Sequence, residues 1–128
     1  MRFLACLAAA ALLAACATPA PSAPAASAPA AAPAQPSRLA TLLAAAGRAD
    51  APTQREIERA LGPADISRRE GAGAALTYRL ENCALLLLFT ADARNEMRLA
   101  EASPSPRRAG DPAPSLEQCA AEASARRS

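Results

Sequence analysis

Four cysteines stand at positions 6, 16, 83 and 119, and the chain contains no histidine. A thiol can act as a nucleophile, a metal ligand or a disulfide partner. The first use needs a positioned base to activate it, and without imidazole no nucleophile–base pair can be assembled; the serines fall mostly in linker and turn segments. Two thiolates left in the body of the chain cannot fill a tetrahedral zinc shell, and no Cys-x-x-Cys spacing occurs. Glu56 and Glu58 are two apart on an expected helix and diverge, so they are not a general acid and base. Gly71 and Gly73 sit in "GAGAAL", which runs into a strand instead of opening a helix, the pattern of a hairpin turn and not of a phosphate loop. The arginine doublets at 68–69, 107–108 and 126–127 suggest an anion site. Neighbours on a strand point to opposite faces, however, so Arg68 and Arg69 cannot share a patch, and scattered surface charges are individually weak. The residue types therefore predict a protein without enzymatic activity, cofactor, metal or small-molecule substrate.

Cys16 has a different setting. It lies within "ALLAACATPAPSAP", residues 11–24, between an apolar run and a proline-rich one. Arg2 supplies a positive start, and Phe3 to Leu13 is too short to span a bilayer but suits the core of a secretory signal. The segment "LAAC" at 13–16 resembles the lipobox of bacterial lipoproteins. That resemblance implies cleavage between Ala15 and Cys16, removal of residues 1–15, and acylation of Cys16. Two or three acyl chains, at about 0.8 kcal/mol per buried methylene, anchor a protein without a transmembrane helix. No other segment is apolar enough to span. Ala17 stands where aspartate would signal retention in the inner membrane, so the same resemblance implies the outer membrane, with the polypeptide facing the periplasm.

Removal of residues 1–15 takes one of 14 arginines, leaving 13 against 12 acidic residues and a net charge of +1. A nucleic-acid binder would need a strong basic field, so that class is excluded. From Ala17 to Pro36 the chain is nearly all Ala, Pro and Ser, with prolines at 19, 21, 24, 29, 33 and 36. Proline fixes φ and removes a donor, so residues 16–36 form a lipidated cysteine and an extended tether. At about 3.1 Å per residue its reach is roughly 60 Å.

The elements of a folded domain begin at 37 and run to 128. Leu39, Leu42, Leu43 and Ala46 share one helical face, with Ser37 to cap and Gly47 to terminate. In "PTQREIERALGPAD", Thr53 and Glu56 make a capping box, and Gly62 with Pro63 stops the helix. The period then changes. Ile66 to Glu70 reads as a strand and "GAGA" at 71–74 as a turn, after which Leu76, Tyr78 and Leu80 alternate with Thr77, Arg79 and Glu81. A turn at Glu81 and Asn82 would pair Leu80 with Cys83, Tyr78 with Leu85 and Leu76 with Leu87, all on one face. Met97 and Leu99 mark a last strand, ended by a Pro-rich loop near 103–114. Ser115 caps a final short helix carrying Leu116, Cys119 and Ala120. The fold class is α+β: two short helices, a three- to four-stranded antiparallel sheet and a C-terminal helix. Such a small domain, with Tyr78 and Phe89 its only aromatics, has a modest core. In an oxidising periplasm Cys83 and Cys119 are expected to form a stapling disulfide.

"ALGPAD" at 60–65 followed by "REGAGAALTYRLENCALLLLF" at 69–89 resembles the small outer-membrane lipoproteins of the SmpA/OmlA, or BamE-like, type, and more closely a cysteine-containing alphaproteobacterial variant. In these a helix ends in Gly-Pro and a glycine-initiated hairpin follows. Family members commonly carry a tryptophan two residues before the tyrosine, where this chain has Leu76. The resemblance covers roughly residues 50–102 and implies a helix–helix–sheet fold in a non-enzymatic accessory of envelope assembly, with an envelope protein as partner. The alternative class is a small binding module similar to the periplasmic lysozyme-inhibitor lipoproteins, which are all-β barrels; the two leading helices argue against it. With Cys83, Leu85, Leu87 and Phe89 facing the core, Leu86 and Leu88 fall on the opposite face beside Thr77, Arg79 and Arg98. Either the C-terminal segment folds over them or they form a partner surface.

Overall fold

The computed structural model describes residues 36–128, so Ala15, Cys16, the signal segment and all but the end of the tether lie outside the described residues. Helix α1 spans Arg38–Ala44, and the Ser37 hydroxyl accepts from the Ala40 amide at 3.1 Å. The helix stops before Gly47, which instead closes the following turn at φ +74°. Its amide donates to the Leu99 carbonyl at 3.0 Å, and an added Cβ would stand 3.2 Å from the Ala100 carbonyl oxygen. That close approach to the sheet is what demands glycine there.

Helix α2 spans Gln54–Leu61 behind the expected capping box: Thr53 Oγ1 accepts from the Glu56 amide, and the Glu56 carboxylate accepts from the Thr53 amide at 2.7 Å. Ile57 and Leu61 are its buried residues. Gly62 ends it at φ +81°, and the Gly62 carbonyl accepts from the buried Tyr78 hydroxyl at 2.9 Å. Burial, with Glu58 and Asp65 nearby, raises the Tyr78 pKa to about 12, so the phenol remains a donor at any ordinary pH.

Strands β1 (Ile66–Glu70), β2 (Gly73–Arg79), β3 (Cys83–Ala91) and β4 (Met97–Pro106) form an antiparallel sheet in sequence order. Tyr78 opposes Leu85 and Leu76 opposes Leu87, as the alternation requires, and the Leu80 amide donates to the Cys83 carbonyl at 2.8 Å. Helix α3 spans Leu116–Arg126 behind a second capping box, Ser115 with Gln118. All three helices pack on one face of the sheet. Leu43, Ile57, Leu76, Leu85, Leu87 and Leu99 are at most 1% exposed there, with Tyr78 and Phe89 among them. The α+β class and its element order stand as expected.

The last strand corrects one expectation. The proline-rich segment does not end the sheet at 103: β4 continues to Pro106, with Pro104 opposite Leu85 and Pro106 opposite Cys83. The reason is position. β4 has one neighbour, β3, and prolines spaced two apart turn their missing donors the same way, toward the open edge, where no ladder bond is lost. The loop proper begins at Arg107.

The end of α3 is tied to the sheet by a bidentate ion pair, Arg126 to Asp65, at 3.1 and 3.2 Å. Arg126, and next the Arg79 amide donating at 2.7 Å, hold the Asp65 carboxyl below its ordinary value of 3.8. A depressed carboxyl stabilises the fold in full above pH 3.8, and that contribution is lost as pH falls through the lower folded-state value. Because both side chains are partly solvated, Asp65→Asn should cost about 1 kcal/mol or less at neutral pH. The melting-temperature gap between the two proteins should close on acidification. A gap that persists unchanged to pH 2 would mean that the ion pair is not its source.

Candidate interaction surface

Alternation along β3 sends Cys83, Leu85, Leu87 and Phe89 under the helices and Ala84, Leu86, Leu88 and Thr90 to the other face. Helix α3 joins α1 on the covered face, so the C-terminal segment does not fold over the leucines. Leu86 is 38% exposed, the one large apolar side chain so exposed among the described residues, and Leu88 is half-buried.

The strand register arranges this outer face in rows. Ile66, Thr77, Leu86 and Ser103 lie side by side across the four strands, and Arg68, Ala75, Leu88 and Glu101 form the next row. Each leucine is thus flanked on β2 by a smaller residue, and the second row carries a cation at one end and an anion at the other. Glu101 and the position of Arg68 opposite it were not legible as a pair in the sequence. Counting from the β3–β4 turn would place Ala100 opposite Leu88; the bulge between Leu88 and Phe89 shifts the register by one and puts Glu101 there instead. Arg98, expected beside the leucines, is committed elsewhere: it donates to Asp92 and to the Ala51 carbonyl, both at 3.1 Å. Arg68 and Arg69 do diverge, as Arg68 pairs with Ala75 in the outer row while Arg69 pairs with the buried Ala74.

Both edges of the sheet resist further pairing. β1 presents Arg68, Arg69 and Glu70, all exposed, and β4 is blunted by Pro104 and Pro106 at one end and by a bridge from Thr53 to Arg98 at the other. The outer face is the part of the sheet that the helices leave uncovered.

Elsewhere among the described residues no reactive side chains converge. A groove of about 510 Å³ between α1, α2 and the end of α3 is lined by Arg38, Leu42, Arg59 and Arg127, but its carboxylate, Glu56, is occupied by Thr53. Three or more potential metal ligands do not cluster anywhere among the described residues. Cys83 and Cys119, both buried, bring their sulfurs to disulfide distance, with Cα atoms 5.7 Å apart, within the span an unstrained bridge needs. No helix among the described residues is long and apolar enough to cross a membrane. Compared with protein-family models, curated proteins and solved structures, the chain gives no match.

Proposed function

We propose that this chain is a lipid-anchored, periplasm-facing lipoprotein of the outer membrane, acting without enzymatic chemistry as an accessory in envelope assembly or structure. Cys16 carries the anchor, residues 17–36 hold the domain off the membrane, and the outer face of the sheet meets the partner. The observation that carries the proposal is "LAAC" followed at once by a proline-rich tether, an order of segments that serves tethering. Leu86 and Leu88 on an uncovered face give the tethered domain something to bind with. An open sheet with helices on one face is not the closed all-β barrel of the inhibitor alternative, which this architecture therefore disfavours.

Metabolic labelling with a fatty-acid analogue tests the anchor. The full chain should take up label and fractionate with outer membranes, while Cys16→Ser should lose the label and accumulate as a longer precursor. A labelled Cys16→Ser protein would overturn the proposal.

A further inference from the structure

We propose that the partner of the outer sheet face is a second copy of this chain, stacked face to face about a two-fold axis that runs along the strands between β2 and β3. The inference rests on the preceding assignment of that face as the interaction surface, and it names the occupant. The face is self-complementary, as any two-fold interface requires.

Such an axis reverses each row onto itself, so β1 of one copy lies over β4 of the other and β2 over β3. In the row Arg68, Ala75, Leu88, Glu101, each Arg68 then faces Glu101 of the second copy, and each Leu88 faces Ala75. In the row above, each Leu86 faces Thr77. Large residues meet small ones, and two ion pairs close the ends. The spacing suits the side chains: stacked sheets lie about 10 Å apart, a gap that an arginine and a glutamate span between them. Arg68 and Glu101 are both exposed, and neither forms an ion pair within the chain among the described residues. The blunted edges of the sheet oppose the competing edge-to-edge arrangement.

Two leucines per copy make a weak interface in dilute solution. The proposed anchoring in one membrane, on tethers with an expected reach of roughly 60 Å, brings the copies together at raised effective concentration, which makes such an interface sufficient.

The test uses the full chain in a bacterial envelope with the photo-crosslinker p-benzoyl-phenylalanine at Thr90, an exposed outer-face position that would face Gly73 of the second copy. Ultraviolet light should yield an adduct of twice the chain mass containing peptides of this chain alone. Arg68→Glu and Glu101→Arg should each reduce it at least about tenfold, because each creates two like-charge contacts. The combined R68E/E101R variant should restore it, which also shows that the altered chains fold. A two-copy adduct indifferent to these charges overturns the arrangement. An adduct with a different protein overturns the second copy as occupant but leaves the interaction surface standing, whereas no adduct at all removes both.

Discussion

Loss of the Cys83–Cys119 bridge is expected to lower stability by about 4 kcal/mol. The estimate follows from the loop it closes, with a sequence separation of 36, which restricts the unfolded chain by that amount in the chain-entropy account. Against a net stability of about 5–15 kcal/mol for a domain, this is a large share. The bridge also fastens α3 to the start of β3, and both sulfurs sit in residues no more than 1% exposed. Replacement by alanine at both positions avoids burying a polar hydroxyl, so C83A/C119A isolates the effect of the bond. Denaturant titration should show the midpoint falling accordingly. Protein isolated without reductant should yield linked Cys83 and Cys119 peptides; alkylatable thiols at both positions, or an alanine pair as stable as the parent, would exclude the staple.

Aspartate at two adjacent positions should produce opposite results. Leu87 is 0% exposed and opposes Leu76, so Leu87→Asp buries a carboxylate with no partner, at a cost of several kcal/mol that should leave the domain unfolded. Leu86 points into solvent, and Leu86→Asp should shift stability by no more than about 0.5 kcal/mol. For a domain of this size that corresponds to a change in melting temperature of up to about 4 °C. The same substitution should abolish association through the outer face, because an introduced charge would be desolvated against the partner. Circular dichroism melting of both variants checks the contrast. A collapse of Leu86→Asp comparable to that of Leu87→Asp would mean that the face is covered within the folded chain.

Features set within a few residues were legible in advance. Thr53 and Glu56 sit three apart, so the capping box follows from covalent reach, and the Ser115 cap follows in the same way. Alternation from Leu76 to Phe89 fixed which side chains share a face, because successive strand residues must point oppositely. The extended tether expected from the prolines between 19 and 36 rests on φ alone, and all but its end lies outside the described residues.

What lay beyond local geometry required the packed chain. Local rules exclude Pro104 and Pro106 from a strand, yet both belong to β4, since whether a missing donor matters depends on whether another strand lies beside it. The alternation could say that Leu86 and Leu87 face apart, but not which face the third helix would cover. That was decided when α3 settled beside α1, burying Cys119 against Cys83, 36 residues away. Arg68 and Glu101 likewise entered one row only through three successive strand pairings. Each of these outcomes depends on contacts between segments distant in sequence, whose free energy is shared among many side chains and is written in no single stretch of the chain.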